Sequence, residues 1–585
     1  MESRRPAATL LASLAWCAAC IAAIVVVMGP LSVPAIRLSI SDPTRPSAVA
    51  ALLLIAAIAL RRSLAGLLDD LSRSVVPYAA TLVLAGALMA ALLGVRGATN
   101  VGGADSAGYL LQARRWLHGQ VRQPLPLVVP GLPGAWPQST LGTRPDPHGT
   151  GTVPTYPPGL PWLEALALAA GGEALAVRGL PLAAALAALL GLWALARPRV
   201  GPAGAAFAVV TLASLPTFLY QALQPMSDVP ALAGWIVALA LAGRRSGAAL
   251  AGASIATLVT ILVRPNLAPL ALPVAWQAWT SSSPRRPAAR ALAIGASTIA
   301  AVVIVALVQW RLYGSPTQSG YGSASELFAL SNVASNLRLY PGWILESCGA
   351  ATVLALVAGL AWWSVQAVRQ PQARPPIAMA LLTLVLYLVY APFDSWSYLR
   401  FILVPLAILP VGAGALLATR EDCRAPRWRF PVFAVAVLVV VLPNLVQARR
   451  LTVFSVRQRE FRYQAAGEFV RSQLPATAIV VATQHSASAA YYGQRPVVRA
   501  DLLTPDAFAA LVNWARAARR PIAFVLDEAE PAMLRQRFGE QGPAALDWPP
   551  RAEVGRPVAT RVWVDEDREP YRAGGRVRTT RITGP

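Results

Sequence analysis

The sequence of 585 residues contains no lysine, so its 51 basic residues are all arginine. Lysine nucleophiles and lysine Schiff bases are therefore excluded as catalytic groups. Charged residues make up only 14% of the chain and hydrophobic residues 56%, which is too apolar for an ordinary soluble protein of this size. The formal net charge of +23 would suit nucleic acid, but many arginines, such as Arg61-Arg62 and Arg244-Arg245, stand at the ends of alternate apolar runs. We interpret this charge as membrane topology and expect no nucleic-acid partner.

Cysteine and histidine are also scarce, with four and three residues. Cys17 and Cys20 lie in the first apolar run and the other two cysteines are far away in sequence, so we expect no disulfide framework. Two cysteines on one helix in lipid are expected to be small packing residues rather than a metal or redox site. We interpret His118 and His485 as structural.

Apolar runs recur from the N-terminus to about residue 447, and a membrane span needs about 20 mostly apolar residues. The predicted spans are thirteen in number: 8–29, 48–60, 77–96, 174–196, 203–220, 228–243, 248–263, 266–280, 288–309, 346–367, 376–391, 400–418 and 430–446. The pair at 248–280 is alternatively a re-entrant hairpin. With Arg4-Arg5 on the cytoplasmic side, thirteen crossings place the C-terminal segment outside. The first run is longer than a signal-peptide core, so we expect it to be retained.

The domain organisation follows from where the apolar pattern ends. Residues 1–447 are predicted to form the multi-span module, with outward loops at about 97–158 and 310–345. Residues 448–585 are predicted to form a small α/β domain on the outer side, ending in an unstructured tail. Its helical patterns and short apolar runs alternate along the chain, at 456–474, 478–482, 505–519, 522–526 and 529–539. The fold class is thus a polytopic α-helical membrane protein with a C-terminal α/β domain.

Two aspartates stand at the predicted outer ends of spans. Asp105 follows Gly102-Gly103-Ala104 and precedes an amphipathic helix, and a carboxylate there can act as the general base that deprotonates an acceptor hydroxyl. Alternatively it caps that helix, and both roles can hold at once. Asp228, in Ser227-Asp228-Val229-Pro230, has the same alternatives, because carboxylates at a span are costly and tend to mark function.

Two arginines interrupt apolar segments on the predicted outer side. Arg264 lies between Val263 and Pro265, and Arg400 lies in Tyr398-Leu399-Arg400-Phe401. Guanidinium groups pair with phosphate oxygens, often through two hydrogen bonds, so both arginines suit a phosphate carried on a lipid. Snorkelling to lipid headgroups is the alternative.

The loop from 124 to 158 is rich in proline and glycine, and we expect it to be irregular. Asp146 and His148 in this loop are candidates to hold a divalent metal with another carboxylate, or simply form a solvated turn. Tyr156-Pro157-Pro158 then leads into a short helix that is predicted to end at Gly171-Gly172 and to lie at the outer membrane interface.

The pattern rests on several motifs taken together. They are Asp105 with Tyr109, Tyr156-Pro157-Pro158 with Trp162, Arg178, Ser227-Asp228-Val229-Pro230, Arg264-Pro265 and Tyr398-Leu399-Arg400-Phe401. This arrangement resembles the GT-C class of polytopic glycosyltransferases, near glycosyltransferase family 39, which includes protein mannosyltransferases and the lipid A aminoarabinose transferase. The likeness covers about residues 75–440 and lies in the arrangement more than in any one motif.

The resemblance implies an inverting glycosyltransferase whose donor is a sugar on a polyprenyl phosphate. It implies activity at the periplasmic face of the bacterial inner membrane, with the protein surrounded by membrane lipids and an acceptor that the sequence does not name. The candidate residues are Asp105 and Asp228 for catalysis, Arg264, Tyr398 and Arg400 for the donor phosphate, and Tyr109, Asp146, His148 and Tyr156 for substrate binding. Many relatives have two acidic residues at the first motif where Ser106 follows Asp105 here, so metal use stays open.

Two other functions remain as alternatives. A transporter or flippase would move a lipid-linked saccharide without making bonds, and it is expected to have broken helices and related halves, neither of which the sequence shows. A membrane scaffold with a sensing C-terminal domain is the third hypothesis.

Overall fold

The computed structural model describes residues 4–33, 38–281, 287–418, 426–555 and 558–584, and most of these residues are helical. Eight helices in this part of the chain are long and apolar enough to cross a membrane: Arg5–Met28, Thr44–Arg61, Val76–Arg96, Gly159–Ser214, Pro287–Tyr313, Ala350–Arg369, Trp396–Leu417 and Arg429–Arg450. Two shorter apolar helices are Asp228–Ala242 and Gly247–Val263. All thirteen predicted spans overlap helices, although the number of crossings stays a prediction. The chain is a polytopic helical membrane protein, as its composition predicts.

The helices at the centre of the bundle are apolar on every face and buried. The helix Leu403–Gly414 is buried along its whole length, and Trp235 and Trp363 in neighbouring helices are fully buried. At the periphery, long helices expose large apolar side chains, such as Val83 and Leu292, each 70% exposed. Exposed apolar side chains along whole helices require an apolar surrounding, which a bilayer provides.

The helical run Gly159–Ser214 is interrupted at glycines that adopt backbone angles costly for other residues. Gly172 (φ 69°) ends the first helix, which confirms the predicted helix end at Gly171-Gly172. A π-helical turn, Leu175–Gly179, follows, and Gly201 (φ 67°) then separates the two spans predicted at 174–196 and 203–220. A positive φ is accessible to glycine without a Cβ penalty, so these glycines set where the chain changes direction.

A second break lies between Val263 and Pro265. Arg264 leaves the helical conformation (φ −138°, ψ 84°), and a 3-10 turn, Pro265–Leu270, leads into the helix Ala271–Thr280. Proline disfavours helical angles in the residue before it and donates no backbone hydrogen bond, which ends the first helix at this point. This break lies between the ranges 248–263 and 266–280, which the sequence predicts as separate spans, just as Gly201 lies between 174–196 and 203–220.

The remaining helices connect and cover the bundle. They are Leu64–Arg73, Asp105–Leu117, Pro216–Ala222, Ala324–Leu327, Val333–Ser347 and Arg374–Leu388. The loop before Tyr156 is more regular than predicted, because it holds a three-stranded antiparallel sheet with Gly151–Pro154 between Gln123–Pro124 and Thr143–Pro145. The Asp146 carboxylate closes the hairpin by accepting hydrogen bonds from the backbone N–H groups of His148 and Thr150. Side-chain closure of this kind lets a breaker-rich sequence form strands.

The C-terminal segment is a small α/β domain, as predicted. Its helices are Val456–Gln473, Pro505–Ala517, Glu530–Phe538 and Arg568–Arg572. Its mixed sheet has the strand order Thr580–Ile582, Ala552–Val554, Thr560–Val564, Ile522–Asp527, Ile479–Ala482 and Val497–Arg499. The unstructured tail was wrong for the described residues, since Thr580–Ile582 pairs in parallel with Ala552–Val554 at the sheet edge. A strand of three residues is too short to be recognised from sequence. It becomes ordered by pairing with the open edge of the neighbouring strand.

Candidate functional site

Two acid–arginine pairs meet at the end of the bundle where the Asp105 loop begins. Arg400 Nη1 lies 3.2 Å from Asp105 Oδ2, and Arg264 Nη2 lies 2.6 Å from Asp228 Oδ1. Arg400 Nε, 3.9 Å from Asp228 Oδ1, links the two pairs. We call this set, in the order Asp105, Arg400, Asp228 and Arg264, the ion-pair chain. It joins residues that are up to 295 positions apart in sequence.

Neither aspartate acts as a helix cap. Ala104 and Ser227 occupy the cap positions, and Asp105 and Asp228 are the first residues of their helices. The Asp105 oxygens accept from the Tyr156 hydroxyl, at 3.0 Å, and from Arg400. The positive end of each helix dipole still favours a carboxylate here. The cap alternative therefore does not account for these side chains.

The two arginines do not reach for lipid headgroups. Their side chains are only 13% exposed for Arg264 and 16% for Arg400, and both point at carboxylates. Arg264 also donates from Nε to Ser227 Oγ (3.1 Å) and from Nη1 to the Tyr387 hydroxyl (3.3 Å). Fixed, desolvated guanidinium groups of this kind are suited to bind an anion rather than to snorkel.

The ion-pair chain leaves two buried polar atoms unsatisfied. Asp228 Oδ2 and Arg400 Nε have no hydrogen-bond partner among the described residues. Buried polar atoms are nearly always hydrogen-bonded, so such atoms call for a ligand or solvent. Asp228 Oδ2 is a hydrogen-bond acceptor and Arg400 Nε is a donor, which fits a ligand that carries both a hydroxyl and an anionic oxygen. Asp105 differs from Asp228 in access, since its side chain is 31% exposed whereas that of Asp228 is fully buried.

Tyr109 and Tyr156 form an aromatic wall beside Asp105, with ring centroids 4.2 Å apart. The Tyr109 hydroxyl donates to Ser227 Oγ at 3.1 Å. Burial, reinforced by the charge of Asp105, raises the pKa of Tyr156 well above its ordinary value, so its hydroxyl stays protonated and remains a donor. Gly108 makes this close approach possible, because a Cβ atom there would overlap the Tyr156 ring.

Tyr398 lies beside Arg400, as its position in sequence suggests. The Arg400 guanidinium carbon is 5.0 Å from the Tyr398 ring centroid and 5.3 Å from that of Phe401. Phe393 stacks on Tyr398 with centroids 4.1 Å apart. These rings support the guanidinium through cation–π contacts and leave its N–H edge facing Asp105 and Asp228.

Sequence reasoning missed several residues around Arg264. Asn266 Nδ2 donates to the Tyr387 hydroxyl at 2.9 Å, and the Tyr387 ring stacks on Phe401 with centroids 4.8 Å apart. Tyr321, a residue that is 47% exposed, stands edge-on to Tyr156 with ring centroids 6.0 Å apart. The available signal was a polar residue in an otherwise apolar stretch, which is much weaker for a tyrosine or an asparagine than for a charge.

The structure does not bring Asp146 and His148 to the ion-pair chain. Asp146 accepts hydrogen bonds from His148 and Thr150 within its hairpin and pairs with Arg122 at 3.7 Å. Burial opposes ionisation, but the hydrogen bonds from Thr150 and the charge of Arg122 outweigh it and lower the pKa of Asp146. His148 is exposed. Asp146 and His148 therefore lie in a hydrogen-bonded turn. Among the described residues no three His, Cys, Asp or Glu side chains are grouped to hold a metal.

The C-terminal domain holds the loop that carries Asp105. The Val101 N–H donates to the Tyr492 hydroxyl at 2.8 Å, and the Leu141 N–H donates to Ser486 Oγ at 3.0 Å. His485, next to Ser486, is buried and bonded to Asp527 at 2.8 Å, in agreement with a structural role. The position of Asp105 therefore depends on a second part of the chain.

No protein-family model and no curated protein matches this chain. Among solved structures, ArnT from Cupriavidus metallidurans bound to undecaprenyl phosphate has a TM-score of 0.47 at 13% identity, covering 78% of this chain and 95% of ArnT. The Archaeoglobus fulgidus oligosaccharyltransferase in complex with Zn and sulfate has a TM-score of 0.48 at 14% identity, covering 79% of this chain and 70% of that protein. The Mycobacterium smegmatis arabinosyltransferase EmbB has a TM-score of 0.36 at 12% identity, covering 70% of this chain and 45% of EmbB.

All three are GT-C glycosyltransferases, the class that the sequence resembles. At these identities and TM-scores the similarity says nothing about the donor, the acceptor or the reaction of this chain.

Proposed function

We propose that this protein is an inverting glycosyltransferase that moves a hexosyl or pentosyl group from a polyprenyl-phosphate donor to an acceptor at the periplasmic face of the inner membrane. The observation that carries the proposal is the ion-pair chain. It presents one accessible carboxylate, Asp105, directly beside a buried acid–arginine network with a free donor and a free acceptor. The resemblance of the sequence motifs to GT-C enzymes supports the same conclusion.

Asp105 is the general base in this proposal. The acceptor hydroxyl gives its proton to an Asp105 oxygen as its own oxygen forms a bond to the anomeric carbon. The bond between that carbon and the phosphate oxygen breaks, and its electron pair leaves with the polyprenyl phosphate. A single displacement of this kind inverts the anomeric configuration. Tyr156 keeps the carboxylate oriented through its hydrogen bond to Oδ1.

Arg400 and Arg264 stabilise the leaving phosphate. Charge-assisted hydrogen bonds aimed at the developing charge lower the barrier most effectively in a site that excludes water. Arg400 Nε is free to donate to a phosphate oxygen, and Asp228 Oδ2 is free to accept from a sugar hydroxyl. When Arg400 Nη1 donates to the phosphate instead of to Asp105, the carboxylate is released, which couples donor binding to the appearance of a free base.

A divalent metal does not fit this arrangement. Asp105 and Asp228 lie on either side of the Arg400 guanidinium, at 3.2 and 3.9 Å, so a positive group already occupies the space between the two carboxylates. Metal ligation needs several oxygen ligands that converge on one point. We therefore derive no step through a metal.

The test uses the purified full-length protein in proteoliposomes with a panel of synthetic radiolabelled polyprenyl-phosphate sugars, namely mannose, glucose, galactose and arabinose. Bacterial envelope fractions serve as the source of acceptor. We expect one donor to be consumed and its label to appear in acceptor or, more slowly, as free sugar. Asp105→Asn is expected to lower this rate about 10²- to 10⁴-fold, the usual contribution of a general base.

The matched control is Asp69→Asn, which removes a carboxylate from a simple surface pair with Arg73 and is expected to leave the rate unchanged. Full turnover in Asp105→Asn would remove Asp105 from the mechanism. Movement of a fluorescent donor between leaflets without consumption would favour the flippase alternative, for which the break at Arg264 is the supporting observation.

A further inference from the structure

A cavity of about 400 Å³ lies between the helices Arg4–Met28, Val76–Arg96, Leu180–Ser214 and Arg429–Arg450. Its lining is apolar for most of its length and includes Ile24, Leu88, Val441 and Phe454. Ala87 and Ser32, which also line it, are exposed. The cavity is therefore open at the surface of the bundle, where it meets the lipid.

One end of this cavity carries positive charge. Arg96 is part of the lining and is exposed. Arg457 donates from Nη1 to the carbonyl of Val95, another lining residue, at 3.2 Å. Arg449 donates to the carbonyl of Val27, beside the lining residue Met28, at 3.0 Å. These arginines stand where three of the four helices end, on the same side of the bundle as Asp105.

The positive charge of this group is not balanced by acidic residues. Within the described residues no carboxylate pairs with Arg96, Arg449 or Arg457, and the buried Nε of Arg457 has no partner. Like charges held together without a counter-ion make a site for an anion.

We propose that this cavity binds an anionic phospholipid, with a hydrocarbon chain between the helices and the phosphate at Arg96 and Arg457. An apolar slot with guanidinium groups at its membrane-surface end is complementary to such a lipid in both shape and charge. The site is separate from the proposed reaction centre, because none of the lining residues belongs to the ion-pair chain.

The test measures lipid binding and needs no knowledge of the reaction. The full-length protein is delipidated in mild detergent and titrated with phosphatidylglycerol or phosphatidylcholine of equal chain length, and bound lipid is counted by native mass spectrometry. We expect phosphatidylglycerol to bind more tightly. Removal of guanidinium charge in Arg96→Gln and Arg457→Gln is expected to weaken phosphatidylglycerol binding about fivefold each, with little change for phosphatidylcholine.

Two further variants separate the cavity from the charge. Ala91→Trp fills the cavity from its wall and is expected to weaken binding of both lipids, whereas Ala300→Trp adds the same ring to an exposed position on the helix Pro287–Tyr313 and is not. Arg311→Gln, in the last turn of that helix, is the control for the charge.

Equal binding of the two lipids, or unchanged binding in the Arg96 and Arg457 variants, would overturn the proposal. Displacement of bound phosphatidylglycerol by polyprenyl phosphate at equimolar concentration would also overturn it, because the cavity would then belong to the donor.

Discussion

The backbone of Gly102 packs against the ring of Tyr463, so closely that a Cβ atom at residue 102 would overlap the ring and the Glu460 carboxylate. Gly102 is three residues before Asp105, and Tyr463 belongs to the C-terminal domain. Together with the hydrogen bond from the Val101 N–H to the Tyr492 hydroxyl, this contact holds the loop that carries Asp105 against the C-terminal domain. The C-terminal domain is therefore expected to influence the geometry of a site to which it contributes no charged group.

Gly102→Ala tests that dependence. The added methyl must push the loop from Tyr463, which displaces Asp105, and misplacement by about 1 Å can cost about 10²-fold in rate. We expect lower turnover and faster proteolysis between the bundle and the domain. Gly94→Ala is the control, because a Cβ there meets nothing within 4 Å. Wild-type turnover in Gly102→Ala would mean that the loop is positioned by the bundle alone.

Arg264→Met is expected to destabilise the protein strongly. It leaves the Asp228 carboxylate fully buried beside a single, more distant guanidinium, and breaking a buried pair in this way costs about 3–5 kcal/mol. The double variant Arg264→Met with Asp228→Leu removes both charges and is expected to recover most of that loss. Thermal melting in detergent checks both, and a double variant no more stable than the single one would contradict the pairing.

Tyr156→Phe is expected to slow turnover about tenfold without unfolding the protein. The change removes the hydroxyl that donates to the Asp105 carboxylate and to the Ala104 carbonyl. A hydrogen bond to a charged group is worth about 1.5–3 kcal/mol, and the lower end of that range corresponds to about tenfold in rate. The effect is expected in kcat and not in the KM for donor, since Tyr156 has no contact with either arginine. Tyr78→Phe makes the same chemical change where the hydroxyl has no partner among the described residues, and its rate is expected to match wild type.

Stability is expected to fall as the pH rises from about 5 to 8. Burial, opposed by the charges of Arg462 and Arg459, raises the pKa of Glu460 from 4.5 to about 7. The folded state therefore holds a proton on Glu460 that the unfolded chain releases above pH 4.5, so this contribution is present at low pH and is lost as the pH passes 7. Glu460→Gln is expected to flatten the dependence of the melting temperature on pH, and an unchanged slope would exclude Glu460 as its source.

The charged members of the site could be found from sequence because a charge in an apolar stretch is conspicuous. Asp228, Arg264 and Arg400 each stand against such a background, and Asp105 stands at its edge. Their pairing could not be found, because Asp105 and Arg400 are 295 residues apart and meet only through helix packing. Tyr387 contacts the site through its ring and its hydroxyl. A single tyrosine in a span is not conspicuous in sequence, so these contacts could not be predicted.

Asp146 illustrates the opposite failure. A carboxylate in a breaker-rich loop looks the same in sequence whether it binds a ligand or closes a turn. Only the hydrogen bonds from His148 and Thr150 distinguish the two. Similarly, the thirteen apolar ranges were recognisable because their hydropathy is local, whereas the sheet edge at Thr580–Ile582 depends on a neighbour that folds first.

The ion-pair chain contains two carboxylates and two guanidinium groups, so it is electrically neutral as a unit. It adds no net charge that would attract anions from a distance, and an arriving phosphate diester binds at the free Nε of Arg400 and by taking the place of Asp105 on Nη1. Selection among the many acidic lipids of a membrane then depends on fit at short range. The contribution of the ion-pair chain to donor affinity is accordingly expected to be almost insensitive to ionic strength.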